Sequence, residues 1–157
     1  MMIETGKIKV LFVCMGNICR SPMAEAVFQH LVDEAGLSKH FEIASAATSS
    51  WELGEPVHPG TRLVLRNHAI SVSPQKRAAQ IRATDYDHYD YILAMDTQNL
   101  SALRRSPKVQ RLMNFAAPGM ANDVPDPYYT GDFDTVFEMV ECACRNLLAH
   151  IRKEAAL

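Results

Sequence analysis

Cys14 and Arg20 are separated by five residues in Cys14-Met15-Gly16-Asn17-Ile18-Cys19-Arg20, and Ser21-Pro22 follow at once. That spacing lets a loop curl round a tetrahedral anion with its backbone N–H groups pointing inward. Gly16 and Asn17 tolerate the unusual backbone angles such a loop needs. Arg20 offers two parallel donors to phosphoryl oxygens and a charge that balances what develops during transfer, with more geometric control than a lysine. Inward N–H groups, an arginine and a helix N-terminus together favour the thiolate of Cys14, the form that attacks. Ser21 has two uses open to it, capping the following helix or donating its hydroxyl to the Cys14 sulfur. The plain alternative is an inert core cysteine, a Gly-Asn turn and a solvated arginine. Strand, glycine, arginine, Ser-Pro and helix in register favour the site.

Phosphoryl transfer to sulfur expels an oxyanion, so a carboxylic acid has to reach the loop to protonate the leaving oxygen. Asp126, in Asp126-Pro127-Tyr128-Tyr129, is the best source. Pro127 biases it towards extended backbone and Pro125 stiffens the approach. The same carboxyl can later activate water. Asp123 is a nearby competitor, and both aspartates also suit an ordinary polar turn.

The elements that must position these residues read as an α/β alternation. Residues 8–13 are nearly continuous apolar and β-branched, which suits a strand buried on both faces. Ser21-Pro22 open a helix with apolar residues at helical spacing to Ala35, and Gly36 stops it. Further strands are expected at 41–48, 89–95 and, more weakly, 109–115, with helices at 59–68 and 97–105. From Asp132 an apolar stripe through Val136, Val140, Cys144, Leu147 and Ile151 predicts a long closing helix. Such alternation implies a parallel sheet covered on both faces, with the candidate loop beyond the carboxyl end of the first strand. The long proline-containing loops at 51–59 and 116–130 are placed to serve function.

With 157 residues, 48% hydrophobic and 22% charged, the chain reads as one domain spanning 1–157. A formal charge of −2 gives no reason to expect nucleic-acid or membrane-surface partners. The apolar run after Lys9 is too short to span a membrane and no leader pattern opens the chain, so a cytoplasmic protein is expected. Four cysteines, at 14, 19, 142 and 144, are too few for a disulfide framework and are expected reduced. A four-thiolate zinc site is disfavoured because Cys142 and Cys144, two apart on a helix, project to nearly opposite sides. The six histidines show no metal-site spacing.

With these residues in view, the sequence resembles the low-molecular-weight protein tyrosine phosphatases, through Val-Cys-Met-Gly-Asn-Ile-Cys-Arg-Ser-Pro at 13–22 and Asp-Pro-Tyr-Tyr at 126–129. The resemblance extends to Ser45-Ala46-Ala47-Thr48, Trp51 and Tyr91-Ile92-Leu93-Ala94-Met95-Asp96. It implies a small α/β domain with a four-stranded sheet, no metal or organic cofactor, and phosphotyrosine-containing proteins or peptides as substrates. It makes Cys14 the nucleophile, Arg20 the phosphate and transition-state ligand, Asp126 the general acid, and Asn17 and Ser21 organisers of a phosphate loop that also contains Met15, Gly16, Ile18 and Cys19. Trp51, Tyr128 and Tyr129 match positions that wall the entrance, with ordinary loop packing as the alternative for Trp51. Cys19 matches a second loop cysteine able to pair reversibly with the nucleophile, or simply packs behind the loop. Ile18 stands where the phosphoarginine-processing branch carries threonine, and its bulk points to phosphotyrosine. Residues 71–80 depart from the family pattern and receive no role. An arsenate reductase would need cysteines between 19 and 142, and none occurs there. A protein arginine phosphatase and a non-catalytic phosphotyrosine-binding module remain the competing readings.

Overall fold

The structure is a computed structural model that describes residues 6–157. In chain order it contains β1 (Ile8–Cys14), α1 (Arg20–Glu34), β2 (Phe41–Ala47), α2 (Pro59–Asn67), α3 (Asp85–His88), β3 (Tyr91–Ala94), α4 (Thr97–Ser101), β4 (Val109–Arg111), α5 (Pro127–Thr130) and α6 (Phe133–Ala155). These form one α/β unit, and positions 1–5 of the expected 1–157 span lie outside the described residues.

All strand pairs are parallel and the order is β2-β1-β3-β4, which puts β1 in the middle. Its residues Val10 to Cys14 are buried on both faces, as the continuous apolar run requires. Val10, Phe12 and Cys14 share one core with α1, α2 and α6, while Leu11 and Val13 pack with Ile92, Ala94 and Leu103 on the other face. Phe28 of α1 meets Phe12 and Phe41 edge-on, with centroids 5.6 and 5.8 Å apart. The helix α6 turns Val136, Val140, Cys144, Leu147 and Ile151 inward, and Asp132 caps its first turn by accepting from Thr135 N at 3.0 Å. Gly36 takes φ +72° just after α1, where a left-handed residue ends the helix without steric cost.

The boundaries differ from expectation in places with physical reasons. The helix α1 starts at Arg20 with Cys19 at its cap position, so Ser21 is not the cap. Pro22 is tolerated in that first turn because its missing N–H would have had no helical partner. The 97–105 helix stops at Ser101, with Ala102 N closing its last turn on Gln98 O and Asn99 O. The fourth strand ends at Arg111 and its last part winds into a 3-10 turn, Leu112–Phe115, which buries Leu112 and Met113. The short helices α3 and α5 lie where the sequence pattern gives none, α5 within the long loop expected at 116–130.

Candidate active site

The sulfur of Cys14 sits at the carboxyl end of the central strand, almost fully buried. Asn17 N donates to it at 3.2 Å, and the Ser21 hydroxyl lies 3.0 Å away. Asn17 has φ +58°, a left-handed backbone that asparagine accepts more readily than most residues. Gly16 does not take a left-handed angle. A Cβ at that position would lie 3.2 Å from Glu52 Cγ, so the glycine instead admits the neighbouring loop.

The Asn17 side chain sets the direction of the hydrogen bonds. Its Oδ1 accepts from Ala79 N at 3.1 Å, which leaves Nδ2 to donate to Ser21 Oγ at 2.8 Å and Ser45 Oγ at 2.9 Å. Having accepted from Asn17, Ser21 still has its own hydrogen to give, and a Cys14 thiolate, with no hydrogen of its own, can only receive it. Ser45 in turn donates to Glu25 Oε1, which pairs with Lys76 Nζ at 3.3 Å. Ser21 therefore turns its hydroxyl to the sulfur rather than capping the helix.

Neighbouring segments hold the loop carbonyls from outside. Thr48 N donates to Cys14 O, Ser49 N to Met15 O and His58 N to Ile18 O, at 2.9, 3.1 and 2.8 Å. Thr61 Oγ1 donates to Cys19 O at 3.1 Å. Because N–H and C=O point oppositely across a trans peptide, this turns loop N–H groups towards the cavity.

Arg20 is 3% exposed and donates to Asp96 Oδ2 at 2.6 Å, Val124 O at 2.9 Å and, more loosely, Asp126 Oδ2 at 3.4 Å. Burial opposes its charge, but the Cys14 sulfur, the bond to Asp96 and the Asp126 carboxylate outweigh that and hold its pKa above the ordinary arginine value. The same Asp96 caps α4 by accepting from Asn99 N, so one carboxylate ties the arginine to β3 and α4.

Asp126 has the extended backbone expected before Pro127, φ −85° and ψ 108°, and its Oδ1 accepts from Tyr128 N at 3.1 Å. The competitor Asp123 is used elsewhere: its Oδ1 accepts from Thr97 N and Thr97 Oγ1, both at 2.9 Å. Asp126 joins Cys14, Met15, Gly16, Ile18, Cys19, Arg20, Trp51, Glu52, Tyr128 and Tyr129 around one cavity. Trp51 is 76% and Tyr129 73% exposed, so neither is filling space in a packed loop. These faces stand free at the mouth, where a flat aromatic group can lie against them.

All four cysteines are free thiols. Burial, then the charges of Asp126 and Cys14, push the Cys19 thiol up to about 12, so it is protonated at neutral pH and is no rival nucleophile. Among the described residues no three His, Cys, Asp or Glu side chains gather as metal ligands.

Several residues here carried no assignment from sequence. Segment 71–80 turns out to brace the loop: Ala79 N holds Asn17, Ala79 O accepts from Ala47 N at 2.7 Å, and Gln80 Nε2 donates to Thr48 O at 3.1 Å. Lys76, Glu25, Ser45, Asp96 and Thr61 are further supports. Ser45 and Asp96 lie inside stretches that carried the resemblance, but their roles depend on long-range contacts that no local pattern announces.

The sequence profile of the low molecular weight phosphotyrosine protein phosphatase family matches residues 9–157. The chain belongs to that family. The low molecular weight protein-tyrosine-phosphatase YfkJ of Bacillus subtilis is 43% identical over 156 residues, covering 96% of this chain and 99% of that protein. The crystal structure of YfkJ superposes with a TM-score of 0.91 at 42% identity, covering 96% of this chain and 98% of that one. The protein tyrosine phosphatase of Entamoeba histolytica, solved with Hepes in its active site, has a TM-score of 0.88 at 33% identity over 96% of this chain and 100% of its own. A Drosophila arginine phosphatase also shares the architecture, with a TM-score of 0.83, 32% identity, and 92% of this chain and 98% of that one covered. Membership thus brings the phosphatase fold, while the architecture alone does not separate the two phosphoryl substrates.

Proposed function

We propose that the chain hydrolyses phosphotyrosine in proteins or peptides, and small aryl phosphates, through a phosphocysteine intermediate. The observation that carries this reading is the directed chain from Ala79 through Asn17 and Ser21 to the Cys14 sulfur, with Arg20 and Asp126 beside the same cavity. The loop N–H groups and Arg20 take the phosphoryl oxygens, and the Cys14 thiolate attacks phosphorus in line with the tyrosyl oxygen. The S–P bond forms as the P–O bond breaks, and Asp126 gives its proton to the departing phenolate. Water then attacks phosphorus, Asp126 takes the water proton, and the S–P bond breaks to return the thiolate and release inorganic phosphate. Arg20 and the loop balance the charge in both steps. No step requires a metal or organic cofactor.

Ile18 in the cavity wall supports phosphotyrosine over phosphoarginine, because its branched side chain narrows the approach and offers no hydroxyl to a guanidinium. The exposed rings of Trp51, Tyr128 and Tyr129 suit a phenyl ring because aromatic faces can lie against it. The cytoplasm is the fitting compartment, since four free cysteines and a thiol nucleophile persist where thiols stay reduced. Among the described residues no helix is long and apolar enough to cross a membrane. Phosphotyrosine-bearing proteins are the partners this reading calls for, rather than nucleic acid or membrane.

Steady-state phosphate release from matched phosphotyrosine, phosphoserine and phosphoarginine peptides, without added metal, tests the reading. Phosphotyrosine should lead, Cys14→Ser should be inactive yet folded, and Asp126→Ala should lose about 10²–10⁴-fold in kcat. Turnover by Cys14→Ser would rule out the intermediate. Binding without release would make the domain a recognition module, and phosphoarginine in the lead would reverse the reading of Ile18.

A further inference from the structure

Arg20 at the end of the phosphate loop and Asp126 are 106 positions apart, and their direct contact is long at 3.4 Å. A second link runs through His58, the cap residue of α2. The His58 N–H donates to Ile18 O at 2.8 Å, and Thr61 donates to Cys19 O at 3.1 Å, so this end of α2 grips the loop. The His58 ring stacks on Phe133 with centroids 5.1 Å apart and planes 23° apart, and meets Tyr128 edge-on at 5.9 Å. Tyr128 lies two residues after Asp126 and Phe133 opens α6, so one ring touches both ends of the acid-bearing segment.

Two details fix that ring. Its Nδ1 accepts from Gly60 N at 2.9 Å, which caps α2 and leaves the hydrogen of the neutral imidazole on Nε2. Phe133 sits so closely over Gly60 that a Cβ there would lie 2.4 Å from its ring. Neither His58 nor Phe133 lines the cavity.

We propose that His58 and Phe133 are positioning residues that set Asp126 over Cys14, by seating the acid-bearing segment on the same helix end that holds the phosphate loop. The proposal rests on the reading of Asp126 as general acid. A misplaced acid costs most where the leaving oxygen most needs a proton. In His58→Ala, kcat/KM for phenyl phosphate should fall about 10- to 100-fold, the scale of a displacement near 1 Å. With p-nitrophenyl phosphate, whose leaving group needs little help, the fall should stay below about threefold. Gly60→Ala, which pushes Phe133 aside while keeping both rings, should give the same signature. Phe133→Tyr, which keeps a stacked ring, should restore the wild-type dependence on leaving group.

His58→Ala leaves its backbone N–H on Ile18, so inhibition by inorganic phosphate should be unchanged. In an Asp126→Ala background, His58→Ala should cost nothing further. Equal losses on both substrates, losses that add to that of Asp126→Ala, or weakened phosphate inhibition would overturn the proposal in favour of general structural support. If His58→Ala does not fold, Phe133→Leu, which keeps bulk over Gly60 and removes the stack, decides in the same assay. An Asp126→Ala enzyme with no added sensitivity to the leaving group would sink the acid assignment itself, whereas sensitivity there but not in the ring variants sinks only the positioning role.

Discussion

Asn17 is where the loop's conformation and its chemistry meet. Its left-handed backbone brings N–H to the Cys14 sulfur, and its amide spends both hydrogens on Ser21 and Ser45 while its oxygen holds Ala79. The consequence at Ser21 is specific: a hydroxyl already accepting from Asn17 has one hydrogen to give, and a Cys14 thiolate 3.0 Å away is the group that can receive it. A hydrogen bond to a charged partner is worth about 1.5–3 kcal/mol, so Ser21→Ala should lower kcat/KM for phosphotyrosine about 10- to 100-fold. Iodoacetate should also modify Cys14 more slowly in that variant, because the attacking sulfur has lost a donor. Ser21→Thr, which keeps the hydroxyl, should recover most of both. Unchanged rates in Ser21→Ala would mean that the serine merely fills the first turn of α1.

The elements were readable in proportion to how local their causes are. β1, α1 and α6 follow from apolar runs and stripes with recognisable ends, and the loop between β1 and α1 follows from that order. Asp126 could be separated from Asp123 by residue type only weakly. What separates them is the engagement of Asp123 with Thr97, a contact across 26 positions. The 71–80 segment was illegible for the same reason: Ala79 and Gln80 carry no chemical label, yet they run beside the end of β2, where Ala79 O and Ile81 N bond the backbone of Ala47. Ser45 is the residue of β2 through which this brace reaches the loop, between Asn17 and Glu25. Ser45→Ala strands one buried amide hydrogen of Asn17, at about 1–3 kcal/mol, while Glu25 keeps its pairing with Lys76. The urea midpoint should fall with an unchanged slope, and inhibition by inorganic phosphate should weaken. A wild-type midpoint together with wild-type phosphate inhibition would show that the brace holds without Ser45.

At the scale of the whole molecule, the strand order places the β1 loop at the crevice where neighbouring connections leave the sheet in opposite directions, and two further chain segments close over it. Folding also buries ionisable groups within the site and away from it, and that ties the stability of the fold to pH. Burial first, then the charges of Asp126 and Cys14, hold the Cys19 thiol at about 12, against a reference near 9.0. Burial pushes the Cys144 thiol up as well, and burial with the hydrogen bond to Glu154 raises Tyr91. Between these values the folded chain keeps protons that the unfolded chain has released, so it binds more protons and stability must fall as pH rises. The contribution is complete below about pH 9 and is lost through the interval up to about 12. Urea midpoints should therefore stay level on the alkaline side until about pH 9 and then decline. In Cys19→Ala the decline should be shallower, because one of the retained protons is gone. An equal slope in wild type and variant would show that the Cys19 thiol is not among the groups responsible, and would place the alkaline loss on Cys144, Tyr91 and the surface charges.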